Sequence, residues 1–449
     1  MVPLNRRGDV NWTLRRALAF ALVATLALAA PLLGRAAAVP FAVVAVLGAT
    51  VTDGWLFEVF STARDRREER LRTLVGFAGA AASIGLLVPL FGVPVGVFVA
   101  SVLVVGYGDL GRRLVLELRE NRALSMVGFV VVGALAAFGG QVAVATAGNE
   151  AATYPAWLFL ATSGALLAGI LRTVFVSRDD PVVLLSVALL LWLFAVLAPF
   201  ENVSTAMAWE RVVVALAVTA LFGYASHALG ATSVAGMLTG VFLGLLAVVL
   251  GDYGWFVVLI AFFAVGSLTT KFRYDQKLDR GVAEPNDGAR GTGNVLGNSA
   301  AALIALLLYA AHAHVPLSDL VYQFAYAGSV ATALADTLSS EVGGLFDQPR
   351  LVTTLERVEP GTDGAVTWQG EIAGLAGAAV IAGLCVFVFD FGATGAAVVV
   401  GAGVAGMTAD SLAGATLEGG TIGNQSVNFL ATLTGGVVGG LLALAVGLA

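Results

Sequence analysis

Charge is scarce in this sequence: 12% of its 449 residues are Asp, Glu, Lys or Arg, against 58% that are apolar. A soluble chain carries about 25% charged residues, so the surface of a water-borne enzyme cannot be assembled from these side chains. A basic surplus is missing as well. Lys and Arg number 24 against 30 Asp and Glu, a formal charge of −6, which excludes a phosphate-neutralising face for nucleic acid. A single cysteine, Cys385, rules out any disulfide within the chain, and its place in the apolar run from Leu384 to Phe389 marks it as a small core residue. Of three histidines, His312 and His314 stand together without Cys or carboxylate companions at ligand spacing, so zinc is not expected.

What is present is one apolar run after another. A bilayer core about 30 Å thick takes roughly 20 apolar residues of helix. The sequence predicts an all-α, polytopic membrane helix bundle of about 15 transmembrane helices: Leu14 to Leu33, Val39 to Phe60, Thr73 to Phe91, Val93 to Tyr107, Leu124 to Ala147, Pro155 to Val176, Val182 to Pro199, Arg211 to Ser226, Ser233 to Leu250, Gly254 to Leu268, Val295 to Ala311, Leu320 to Ala335, Gly370 to Phe389, Gly392 to Asp410 and Val427 to Leu448. No clean cleavage site follows the first run, so it reads as a retained span and not a signal peptide. With the N-terminus cytoplasmic, 22 of the 24 Lys and Arg fall inside, from Arg6 and Arg7 through Arg178 to Arg357, and only Arg35 and Arg211 outside. The expected location is the cell membrane, with the C-terminus outside and the long polar loops facing the cytosol.

Polar residues concentrate in the second half, dividing the chain into 1–210 and 211–449. Within that half Gly230 to Gly240 resembles Gly364 to Gly374, each opening a span, and Ala335-Asp336-Thr337-Leu338 resembles Ala409-Asp410-Ser411-Leu412, each closing one. An internal duplication and the chance recurrence of small helix-packing residues both account for this.

Three stretches carry the chemistry. Thr332, Asp336, Ser339 and Gly343 follow at i, i+4, i+7 and i+11 and so share one helical stripe. A carboxylate at membrane depth is costly and faces a cavity or a partner. Glu341, five residues on, is placed to share a divalent cation with Asp336. The loop Pro360-Gly361-Thr362-Asp363-Gly364 leads into a helix start and suits phosphate oxygens, although it lacks the Gly-Lys-Ser/Thr of a Walker loop. Lys271, Arg273 and Arg290, with Asn286 between them, surround a glycine-rich stretch that ends in the amide pair Asn294 and Asn298; Asn424 and Asn428 repeat that i, i+4 pair before the last span, and Asp410 closes the span before it. For each of these a structural role, as turn, topology signal or interhelical hydrogen bond, is the competing reading.

Taken together, TTKFRYDQKLDRGVAEPNDGARGTGNVLGNS, ADTLSSEVGG, LVTTLERVEPGTDGAVTWQGEIAG and ADSLAGATLEGG with NQSVNFLATL resemble, in order and from about residue 212 onward, the integral membrane family that includes transmembrane protein nineteen and the plant phytyl-phosphate kinase. Members of that family resemble CTP-dependent prenol and lipid kinases, in which an Asp-bearing helix ending in glycine is followed by a Lys-Ser-x-Glu-Gly loop. Asp336 and Gly344 match the first pattern, and Gly361 to Gly370 stands near the second without its lysine. A fainter echo, Val105 to Arg113 followed by Leu124 to Gly128, puts Leu124 and Val127 where lysine and glutamate are needed, so 1–210 reads as a degenerate, non-catalytic kinase-like bundle.

The resemblance implies phosphoryl transfer from CTP or another nucleoside triphosphate to a membrane isoprenyl monophosphate such as phytyl or geranylgeranyl phosphate. In that reading Asp336 and Glu341 hold Mg²⁺, Asp363 completes the catalytic acids, and Gly361, Thr362 and Gly364 cradle the triphosphate. Lys271 and Arg290 neutralise the moving charge, and Asn286, Asn294, Asn298, Asp410, Asn424 and Asn428 bind substrate. The partners are then the lipid bilayer, the isoprenyl phosphate and the nucleotide. A transporter or lipid carrier fits intramembrane carboxylates and broken spans equally well, and a non-catalytic scaffold is the third possibility.

Overall fold

The computed structural model describes residues 6–149, 151, 153–175, 180–200, 203–418 and 422–449, with side chains from residue 14 onward. The side chains of Arg6 and Arg7, together with Arg178 and the Gly419-Gly420 end of one motif, lie outside the described residues. The chain forms two compact units, Met1–Val212 and Val213–Ala449.

In the first unit the helices of seven residues or more are α1 (Arg6–Thr25), α2 (Val39–Thr50), α3 (Gly54–Phe60), α4 (Arg72–Phe91), α5 (Val95–Leu118), α6 (Arg122–Gly148), α7 (Tyr154–Val174), α8 (Asp180–Leu197) and the start of α9 (Thr205–Ala228), which runs on into the second unit. Turn chemistry sets several bounds. Gly92, at φ +71°, ends α4, Pro94 precedes α5, and the Asn121 side chain accepts the Leu124 amide at 3.0 Å to start α6. Helix α5 is buried over most of its length, and its Gly111 lies against the Gly128 carbonyl of α6, where a β-carbon has no room. The expected span ending at Tyr107 instead continues to Leu118, carrying the Asp109 to Arg113 echo inside a helix. Buried Asp109 is held by Arg172 at 3.1 Å and Arg112 at 3.7 Å, and Arg172 also pairs with Asp180.

The second unit holds α10 (Val234–Leu246, continued by a wider turn to Gly251), α11 (Tyr253–Lys271), α12 (Tyr274–Asp279), α13 (Thr292–Ala310), α14 (Asp319–Gly343), a two-stranded hairpin of β1 (Arg350–Leu351) and β2 (Ala365–Val366), α15 (Trp368–Val388), α16 (Ala393–Leu417) and α17 (Asn424–Ala445). Helix α14 is the hub, packed by α11, α13, α15, α16 and α17. Small residues make this possible: Gly406 of α16 and Gly435 of α17 both abut the Thr332 hydroxyl, and Gly377 of α15 abuts the Leu334 carbonyl. Thr332 is therefore a packing residue of the stripe.

The protein is a polytopic helical membrane bundle. Among the described residues 13 helices are long and apolar enough to span a membrane, or up to 14 counting a bent pair. Two of the fifteen expected spans differ. Val39 to Phe60 is broken, its halves α2 and α3 bent by 111°. Leu320 to Ala335 lies inside α14, which falls outside the set of apolar spans; sheathed by five other helices, it has no need of lipid-compatible side chains. The two similar openings also fold alike. Ser233 caps α10 by accepting the Gly236 amide and Thr367 caps α15 by accepting the Gly370 amide, both at 3.1 Å, after left-handed Gly230 and Gly364.

Candidate functional site

One end of the second unit contains a cavity of about 400 Å³. Its walls are the N-terminal turns of α13 and α17, the C-terminal turns of α14 and α16, the segment from Gly281 to Arg290, and the loop from Pro360 to Thr367, the N-cap of α15. Twelve of the fourteen sequence-predicted site residues line it: Asp336, Glu341, Asp363, Arg290, Asn294, Asn298, Gly361, Thr362, Gly364, Asp410, Asn424 and Asn428. Lys271 and Asn286 are exposed outside it.

The two helix-closing aspartates meet here. Asp336 of α14 and Asp410 of α16 stand within hydrogen-bonding reach of each other, and Asp410 Oδ1 is buried with no hydrogen-bond partner. Glu341 does not share that position. Its Oε2 is 2.5 Å from Nζ of Lys277, which is almost fully buried and also donates to the carbonyls of Thr269 and Thr270. The sequence paired Asp336 with Glu341; in the structure a lysine from α12 has taken Glu341, and Asp410 faces Asp336 in its place.

Arg290 is the cation of the lining. It is buried, its backbone tied to the α9–α10 turn by the Arg290 amide to the Ala231 carbonyl (2.9 Å) and the Ser233 amide to the Arg290 carbonyl (3.1 Å). The guanidinium lies over the Phe262 ring, 5.4 Å from its centre, and reaches toward Gly266, where only the lack of a β-carbon leaves it room. Among the described residues it makes no hydrogen bond or ion pair. Burial draws it below the usual arginine range, while the fields of Glu284, Glu341 and Asp336 act in the opposite direction. Arginine stays charged under such a shift.

The helix ends add to this polarity. Helices α13 and α17 start on Gly291 and Gly423 without side-chain caps, so their first-turn N–H groups are left for another acceptor. The Asn298 side-chain amide donates to the backbone carbonyl of Asn294 at 3.0 Å, which holds it against its own helix. The Pro360 to Gly364 loop is shaped by left-handed Gly361 and Gly364 and by the Thr362 hydroxyl donating to the Glu359 carbonyl at 2.7 Å. A β-carbon on Gly364 would strike the backbone of Ser411 and Ala415 in α16.

Several lining residues were missed from the sequence. Glu284 faces the cavity, its carboxyl raised first by desolvation and then by Glu341, against the pull of Arg290 and an Asn294 hydrogen bond. Glu418, raised by desolvation and then by Asp363 and Asp410, continues the spacing Asp410, Gly414, Glu418 at i, i+4, i+8. That periodicity was the available signal. Thr367 could have been read from the Ser/Thr-x-x-Gly opening it shares with Ser233. Lys277 offered none, because nothing in its local sequence separates it from Lys271.

Hard oxygen donors from two facing carboxyls, one with an orphaned buried oxygen, fit a divalent cation of the Mg²⁺ type. No group of three or more His, Cys, Asp and Glu able to hold a metal occurs among the described residues. Two carboxylates plus ligand oxygens is the usual provision for Mg²⁺.

The sequence profile of the integral membrane protein DUF92 family matches residues 217–436. An uncharacterized membrane protein of Methanocaldococcus jannaschii is 33% identical over 213 residues, 46% of this chain and 84% of that one. Protein VTE6, chloroplastic, of Arabidopsis thaliana is 31% identical over 180 residues, 38% of this chain and 54% of its own. An uncharacterized membrane protein of Synechocystis is 39% identical over 143 residues, 31% of this chain and 52% of its own, so the chain spans about half the length of these last two. No solved structure matches it. With the profile falling on the unit that contains the cavity, and the archaeal relative 33% identical over 84% of its own length, the chain belongs to the DUF92 family of integral membrane proteins.

Proposed function

We propose that the cavity of the second unit transfers a phosphoryl group from CTP, or another nucleoside triphosphate, to a membrane isoprenyl monophosphate such as phytyl or geranylgeranyl phosphate. The observation that carries this reading is Arg290, a buried guanidinium lining a polar cavity with no acceptor of its own among the described residues. Uncapped helix starts stand on one side and paired carboxylates on the other. Cations at the carboxylates and anions at the amides are what a metal-bound polyphosphate presents. The likeness of the four ordered motifs to the plant phytyl-phosphate kinase supports the choice of acceptor.

Asp336 and Asp410 would hold Mg²⁺, which when bound screens the phosphate charges. Arg290 binds oxygens of the transferring group. Asn294, Asn298, Asn424 and Asn428, with Gly361, Thr362 and Gly364, orient the phosphates, and Asp363 borders the same space. An oxygen of the lipid phosphate attacks the terminal phosphorus, the bond to the bridging oxygen breaks, and the nucleoside diphosphate leaves with the electron pair. The acceptor is already ionised, so catalysis rests on positioning and charge neutralisation. Lys271, Arg273, Lys277, Arg280, Arg290, Arg350 and Arg357 all belong to the cavity end of this unit. By the positive-inside tendency that end is cytoplasmic, in the cell membrane, where nucleotide is available. With the cavity end cytoplasmic, helix α17, which starts at the cavity, would carry the C-terminus outside.

The test is the full chain in detergent or nanodiscs with CTP, Mg²⁺ and phytyl phosphate, read by mass spectrometry of the lipid. Phytyl diphosphate should form, and Asp336→Asn or Arg290→Ala should abolish it. No turnover with any nucleotide, together with lipid flux in liposomes, would replace the kinase by a carrier.

A further inference from the structure

The first unit contains a second cavity of about 400 Å³, at the α5 start, the α7 start and the α8 end, remote from the arginines that follow α5. Its described lining carries no Asp, Glu, Lys or Arg; Val97, Trp157, Phe159, Leu160 and Phe194 set its character. It is unsuited to phosphate and suited to an aliphatic chain. Thr153 and Thr205 stand in this lining at helix starts, and Gln141 enters it from within α6. Gln141 of α6, 1% exposed, donates its amide nitrogen to the Ala137 carbonyl (3.3 Å) and the Trp157 carbonyl (3.1 Å). Its side-chain oxygen accepts no hydrogen bond from any described residue, yet it is not sealed in protein, since the atoms both buried and unpartnered do not include it. Both donors are spent inside the protein, and what Gln141 offers the cavity is a lone acceptor. A buried acceptor left unmatched is costly, so it selects a ligand that brings a donor.

We propose that this cavity binds a neutral long-chain alcohol, its aliphatic chain among the aromatic and aliphatic side chains and its hydroxyl donating to Gln141 Oε1. A methyl ether of the same chain keeps the apolar contacts but has no proton to give, and a phosphate ester would bring charge with no counterion in the lining. The site is separate from the proposed transfer cavity, with its own residues and its own unit.

The full chain in nanodiscs, exposed to diazirine-tagged hexadecanol and in parallel to its methyl ether, tests this by photolabelling and peptide mapping. The alcohol should label peptides containing Trp157 to Leu160 and Phe194 to Phe200 at concentrations at least 5-fold lower than the ether. Gln141→Leu should remove that difference, and Ala156→Trp, which fills the cavity, should remove labelling by both probes with the melting temperature retained. Equal labelling by alcohol and ether in the unaltered chain, or labelling spread over lipid-facing helices and indifferent to Ala156→Trp, would overturn the assignment; the first comparison needs no variant to fold.

Discussion

Arg290 and Lys277 are both buried cations of the loop region after α11, and their surroundings give them different work. Lys277 spends its three N–H donors on Thr269, Thr270 and Glu341, whereas the Arg290 guanidinium spends none on acceptors among the described residues. Lys277→Met leaves the Glu341 carboxylate buried and unpaired, which costs ~3–5 kcal/mol. A large drop in melting temperature is expected for the full chain, restored mostly when Glu341→Met is added. Arg290→Lys keeps a charge but loses the planar fork; nucleotide turnover is expected to fall about 100-fold while the melting temperature moves little. A third residue gives a pH test. Burial and Glu341 raise the Glu284 carboxyl, so the folded chain binds its proton more tightly than the unfolded chain does. Stability then falls as pH rises from the ordinary carboxylate value toward the raised one. Glu284→Gln should therefore raise the melting temperature at pH 8 and leave it unchanged at pH 4, measured without Mg²⁺. An equal effect at both pH values would show that Glu284 acts by packing alone.

Glycines decide how closely the helices around α14 approach. At Gly435 a β-carbon would meet the Thr332 hydroxyl and the Gly328 carbonyl, the latter at 2.9 Å, so Gly435→Val forces α17 away from α14 and with it the Asn424 and Asn428 amides. Reduced expression of folded protein and lost nucleotide binding are expected together. Gly401 of α16 sits otherwise, with only Leu442 near its β-position at 3.8 Å. Gly401→Ala should stabilise by ~0.5–1 kcal/mol through lower unfolded-state entropy, visible as a small upward shift in thermal melting. Helical spacing made the Asp336 stripe and both amide pairs readable, because residues four apart share a face whatever the fold. It did not reveal which face would turn inward, and so Thr332 was grouped with Asp336 although it packs against Gly406 and Gly435.

At the scale of the molecule, the cavity end of the second unit and its opposite end should lie on opposite sides of the membrane. Cys385 is fully buried, so the native chain is a quiet background for cysteine labelling. Thr354 lies in the hairpin beside the cavity, and Ala313 in the α13–α14 turn at the other end; both are exposed. In intact cells a membrane-impermeant maleimide should label Ala313→Cys and spare Thr354→Cys until the cells are opened. The reverse pattern would place the cavity outside and remove its access to cytosolic nucleotide.

Sequence alone determined that the chain is a helical membrane bundle, since 58% apolar content and span-length runs leave the backbone no other way to satisfy its hydrogen bonds in lipid. It also marked twelve of the residues that line the cavity, because polar groups are costly at helix ends inside a bilayer and stand out against apolar neighbours. Tertiary structure decided the pairings: Asp336 with Asp410, Glu341 with Lys277, Arg290 inward and Lys271 outward. Those choices depend on which helices pack side by side, a matter of contacts between residues far apart in the chain, and no local pattern encodes them.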